Sequence, residues 1–79
     1  MRMEEVKKLE KLLPPYIREQ YKKTDPVARK SGVSVMWSKE AQQCSAEEVS
    51  VALTNCIRRG ILRLRIDRGN RARFLPGRS

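Results

Sequence analysis

The sequence predicts a small α+β domain in which helices precede a C-terminal two-stranded β-hairpin. Three observations predict it. Apolar residues recur at helical spacing through much of the chain up to Gly60, and at every second position after it. Ser45 and Glu48 stand at the spacing of a helix N-terminal capping box, just ahead of an apolar stripe. Asp67-Arg68-Gly69-Asn70, a cluster of turn residues, separates the two alternating segments. The chain of 79 residues is sized for one domain, 1–79. A chain this short buries only about 60% of the surface its unfolded form exposes. That length excludes a multi-domain enzyme, a (β/α)8 barrel or a full dinucleotide-binding fold.

Each element has its own local cause. Met3, Val6, Leu9 and Leu13 form a helical stripe, with charged residues on the other faces. Pro14-Pro15 then interrupts the pattern. The residue before a proline avoids the helical region, so a first helix is expected to end near Leu12 and a second piece to start near Pro15. A single kinked helix is the alternative, and either way 1–23 is an N-terminal helical segment. Residues 24–35 form a connection bounded by Asp25-Pro26 and Ser31-Gly32, with a short strand at Val33-Ser34-Val35. A short helix over Met36–Gln43 sets Trp37 and Ala41 four apart on one side. The helix over 46–59 is capped by Ser45 and carries the stripe Val49, Ala52, Leu53, Cys56 and Ile57. It stops at Gly60, with Arg58 and Arg59 at the end of the helix dipole that favours cations. In 61–76, Leu62, Leu64 and Ile66 face one way and Arg63 and Arg65 the other. Ala72 and Phe74 alternate with Arg71 and Arg73 in the same manner, and Arg68 sits at the tip.

The charge is concentrated in the C-terminal part. Lys and Arg number 18 against 9 Asp and Glu, for a net charge of +9. Residues 58–79 hold eight of those cations, all Arg, and only Asp67 against them. Arginine-dense segments fit polyanions, because the planar guanidinium matches phosphate oxygens. Like charges sharing one hairpin face also repel, and a phosphate backbone relieves that repulsion. Shielding of an edge strand is the plainer use of the same residues. The chain has no histidine and two cysteines, Cys44 and Cys56. No four-ligand zinc site can be assembled from these, the usual general base is missing, and no phosphate-cradling glycine loop is present. No catalysis, metal, cofactor or small-molecule substrate is therefore expected. Both cysteines read as thiols in a reducing compartment. No apolar run is long enough to span a membrane, and the N-terminus lacks the apolar stretch of a secretion signal. A cytoplasmic location is expected, or a nuclear one in a eukaryote.

The order of elements, and the stretch from Ser45 through Leu64 with its cap, amphipathic helix, glycine and alternating strand, resembles the winged helix, a helix-turn-helix variant. The resemblance covers residues 35–76. It implies a helix-turn-helix over 36–60, a recognition helix at 46–59 that enters the major groove, and a wing at 61–76 that touches the DNA backbone or minor groove. Opposite the apolar stripe lie Glu47, Ser50, Val51, Thr54, Asn55 and Arg58. Ser, Thr and Asn can bond phosphate or base edges, and Arg can read guanine. The expected nucleic-acid-binding residues are Ser50, Thr54, Asn55, Arg58 and Arg59 on the helix, and Arg63, Arg65, Arg68, Arg71 and Arg73 on the wing. Glu47 departs from a purely basic face. The same residues also suit an ordinary solvated helix face. In a competing placement, 27–34 is the helix-turn segment of a repressor and Met36–Ala41 its recognition helix.

The expected partner is double-stranded DNA, and the expected role a small transcriptional regulator. RNA is less favoured, because Tyr16, Tyr21, Trp37 and Phe74 are the only aromatics and read as packing residues, not as a stacking platform. A protein-interaction module of a larger nucleoprotein complex is the alternative. The stripe from Met3 to Leu13 serves either the chain's own core or a homodimer.

Overall fold

The computed structural model describes residues 2–35 and 38–77. The expected contributions of Met36 and Trp37 to a short helix and to the core lie outside them. Helix α1 spans Met3–Lys23, a 3-10 turn spans Ala28–Ser31, and helices α2 and α3 span Lys39–Gln42 and Ala46–Arg58. Strands β1, Leu62–Ile66, and β2, Ala72–Pro76, then form an antiparallel hairpin. Three helices followed by an open two-stranded hairpin is winged-helix architecture. The competing placement finds no counterpart in the described residues: its first segment is a 3-10 turn leading into an isolated bridge, and α2 is a single turn.

Helix α1 runs unbroken through Pro14 and Pro15, which corrects the expected break near Leu12. A proline inside a helix removes one backbone donor and leaves the carbonyl four residues earlier unmatched. The Cys56 thiol of α3 lies 3.8 Å from the Glu10 carbonyl and donates to it, standing in for the amide that Pro14 lacks. Leu13 and Ile17, on either side of the prolines, are fully buried. Each contributes about 1.5–3 kcal/mol of apolar burial, comparable with the roughly 3 kcal/mol a mid-helix proline costs. Tertiary packing thus overrides the local preference of the two prolines. Arg29 folds back over the C-terminus of α1. Its Nε donates to the carbonyls of Tyr21 and Thr24, both at 3.0 Å, and its Nη2 to that of Lys22 at 2.9 Å. Carbonyls left over at a helix end are thereby satisfied by a cation, the charge the dipole favours there.

Helix α3 begins and ends as its sequence dictates. Ser45 Oγ accepts from the Glu48 amide at 3.1 Å, and Glu48 Oε1 accepts from the Ser45 amide at 2.9 Å, a complete capping box. At the other end Gly60, with φ of 76°, donates to the Ile57 carbonyl while Ile61 donates to that of Cys56. That double bond is the Schellman motif, and its left-handed residue is where glycine costs least. Helices α1 and α3 lie side by side in the same direction: Arg2 meets Glu48, and Glu10 meets Asn55, Cys56 and Arg59.

The hairpin register pairs Leu62 with Pro76, Leu64 with Phe74, Arg65 with Arg73 and Ile66 with Ala72. Val33 bonds Phe74 in both directions, at 2.7 and 2.8 Å, so the expected strand at 33–35 is a one-residue bridge on the outer edge of β2. The core comprises Val6, Leu9, Leu13 and Ile17 of α1, Val33, Ala52, Leu53 and Cys56 of α3, and Leu62 and Phe74 of the hairpin. Val6, Leu9 and Leu13 are therefore used within the chain. The apolar hairpin face is buried only at its base, because Leu64 and Ile66 keep 50% and 55% of their surface exposed. The helices support Leu62 and Phe74 and leave the outer half of the hairpin uncovered.

Candidate nucleic-acid interface

Helix α3 presents three sides, set by the 100° step between residues. One side packs on α1 through Glu48, Ala52 and Cys56, with Asn55 and Arg59 at its border. A second side, Ala46, Val49, Leu53 and Ile57, forms one wall of an open groove of about 980 Å³. Leu64, Ala72 and Phe74 of the hairpin line the opposite wall, and Ser50, Thr54, Arg71 and Arg73 also line this groove. The third side, Glu47, Ser50, Thr54 and Arg58, is exposed.

The ten residues expected to contact nucleic acid divide by what already holds them. Asn55 donates to Glu10 Oε2 at 3.1 Å, and Arg59 Nη1 lies 3.1 Å from Glu10 Oε1, so both clamp α3 to α1. Thr54 donates its hydroxyl to the Ser50 carbonyl at 2.8 Å. Arg73 Nε meets Asp67 Oδ2 at 3.4 Å. Ser50, Arg58, Arg63, Arg65, Arg68 and Arg71 are exposed, and the five arginines among them pair with no carboxylate of the described residues.

Asp67 explains why the hairpin's only acid neutralises so little. Its Oδ1 accepts the amides of Gly69 and Arg71, each at 2.9 Å, and its backbone closes the turn with Arg71 and Asn70. These bonds, led by the Arg71 amide, hold its carboxyl below the usual aspartate range. Positive φ falls on Asn70, at 57°, among the few non-glycine residues that tolerate it. The turn thus fixes Arg68 and Arg71 at the exposed end of the hairpin.

Alternation along the strands puts Arg63, Arg65 and Arg73 on the face away from Leu62, Leu64 and Phe74. Arg63 and Arg65 line a basin on that face, whereas Arg71, beside the turn, lines the α3 groove; Arg73, directly across from Arg65, borders the groove as well. That basin, about 470 Å³, also holds Tyr21, Pro26, Arg29, Lys30 and Leu75. Lys30 and Arg29 join the hairpin arginines there without any signal in the sequence. No linear spacing signals their approach to the hairpin, because they come from a connection more than thirty positions earlier.

Other chemistry has little to work with here. No group of three or more His, Cys, Asp or Glu that could hold a metal ion occurs among the described residues. Both cysteines are free. Burial pushes the Cys56 thiol up, and the Glu10 carboxylate adds to it. Burial likewise raises Cys44, helped by its contact with Glu5 at 3.6 Å. Neither is the lowered thiol that nucleophilic or redox work calls for. Among the described residues, no helix is long and apolar enough to cross a membrane. Comparison of the chain with models of protein families, with curated proteins and with solved structures finds no match.

Proposed function

We propose that the chain binds double-stranded DNA as a small transcriptional regulator, with the exposed side of α3 and the hairpin turn as its contact surface. The observation that carries this reading is the set of exposed arginines, Arg58, Arg68 and Arg71, that no carboxylate of the described residues neutralises. Unpaired positive charge attracts a polyanion over a distance of a Debye length, about 8 Å at physiological salt, and Glu47 on the exposed side of α3 offsets part of it. In this reading Arg68 and Arg71 bond phosphates, and Ser50, Thr54 and Arg58 reach base edges. Asn55 and Arg59 act by holding α3 at its angle to α1, and Arg73 by stiffening the turn.

Fluorescence anisotropy of a labelled duplex between about 50 and 200 mM salt tests it. Two neutralised phosphates give a log–log slope of about −2. Replacing Arg58 by Ala should cost roughly 1–3 kcal/mol on a selected site and relax preference at one base, whereas R68A should weaken all sequences alike. Affinity that does not fall with salt, or a selection that fails to converge, sinks the regulator.

The exposed Leu64 and Ile66 favour a second reading, a protein-interaction module. Under it, duplex affinity is no better than that of an unrelated protein of equal charge, and L64D abolishes partner capture.

A further inference from the structure

We propose that the back of the hairpin is a second phosphate-binding face, which takes the backbone of a second nucleic-acid segment so that one copy of the chain joins two duplexes. The proposal rests on the duplex-binding reading above for its first segment. Its own basis is the basin formed by Lys30, Arg63 and Arg65 beside the Arg29 guanidinium.

Four cations line that basin, and no acidic side chain does. Lys30, Arg63 and Arg65 are exposed and pair with no carboxylate of the described residues. Asp25, the acid of the adjoining connection, has its Oδ1 engaged by the Val27 amide. Arg29 forms a fixed wall, because three backbone carbonyls hold it and the Tyr21 ring lies 5.5 Å from its guanidinium. Arg63 is steadied in turn by a bond from its Nε to the Pro76 carbonyl at 3.3 Å. A concave surface with several charges set on rigid elements suits a chain of phosphates, whose repeat brings successive anions to successive cations.

Arg63 and Arg65 stand on the side of the sheet away from Leu64 and Phe74 of the α3 groove. Arg73 shares their side but borders the groove, where it is tied to Asp67. DNA has a persistence length of about 150 base pairs, so a duplex lying along α3 does not fold around a five-residue strand to reach the other side. Phosphates bound at the back belong to another segment.

The test uses the full chain and two duplexes, one fixed to beads and one fluorescent and free. The wild-type chain is expected to retain the fluorescent duplex on the beads. The triple variant K30A/R63A/R65A is expected to lower that retention on the order of tenfold and to flatten its salt slope by about 3, since three phosphates are no longer neutralised. Anisotropy with a single duplex at limiting DNA reads the tighter face, the front one in this proposal, and its slope should stay at the wild-type value. Circular dichroism confirms that the variant is folded.

Wild-type chain that binds one duplex but retains no second one overturns the proposal and leaves the duplex-binding reading intact. Retention that survives the triple substitution also overturns it, because two copies of the front face would then be the bridge. Equal losses of retention and of single-duplex affinity overturn it as well, by placing both faces on one duplex. Absence of any duplex binding in the anisotropy arm fails the underlying reading and the proposal together.

Discussion

The α1–α3 interface and the hairpin treat their polar groups in opposite ways. Along the interface every buried polar group is matched. Glu48, 3% exposed, accepts the amides of Ser45 and Arg2, and Glu10 takes Asn55 and Arg59 on its carboxylate and Cys56 on its carbonyl. On the hairpin, Arg63, Arg65, Arg68 and Arg71 pair with no acid among the described residues, Arg65 stands directly opposite Arg73, and Leu64 and Ile66 are exposed. One region spends its side chains on holding two helices together. The other leaves most of its arginines without a counter-charge and part of its apolar face uncovered, at some cost to its own stability.

The widest test of this contrast is a pair of leucine truncations. Leu13→Ala empties a fully buried position of α1 and should cost roughly 2–5 kcal/mol, whereas Leu64→Ala on the hairpin should stay within about 0.5 kcal/mol. A domain of this size holds only about 4–12 kcal/mol in total, so the first variant should be partly unfolded at about 37 °C. Urea melts followed by circular dichroism compare the two. Equal losses would mean that the hairpin face is packed after all.

Acid should act on the interface next. Backbone bonds from Ser45 and Arg2 hold Glu48 at about 2, against 4.5 for an ordinary glutamate. Its folded value is depressed, so its contribution is fully present above pH 4.5 and is lost as pH falls toward 2. Urea midpoints should therefore drop between about pH 5 and pH 3. The E48Q variant should be less stable at neutral pH and should lose less over that interval. Asp67 and Glu40 are depressed in the same direction, so some acid sensitivity should remain in the variant. An E48Q profile parallel to wild type would remove Glu48 from its linking role.

These contrasts also mark what was legible in the sequence. The cap at Ser45, the stop at Gly60 and the alternation of 62–66 with 72–76 are local, and each forms where its residues demand. The continuity of α1 was not legible, because the thiol that takes the carbonyl freed by Pro14 lies 46 positions away. Asn55 and Arg59 read as outward polar residues, yet they border the α1 side, and the carboxylate that engages them is equally remote. Alternation told which way Leu64 and Ile66 point. It could not tell that no helix reaches far enough to cover them. Local chemistry was readable throughout, and long-range pairing was not.

The smallest expected effect separates stability from binding on one residue. Arg65 faces Arg73 across the hairpin, and like charges directly opposite oppose pairing by a few tenths to about 1 kcal/mol. Asp67 already offsets part of the Arg73 charge, which puts the expected gain from Arg65→Thr near the lower end. Threonine also suits a strand better than a long charged chain suits one next to its like. Arg65→Thr should therefore raise the urea midpoint slightly while reducing bead retention of the second duplex. A residue kept only to shield an edge or to keep the chain in solution would show the gain without the loss. The opposite signs of the two effects are the mark of a charge placed for a partner, and they are measurable on a single variant whose core is untouched.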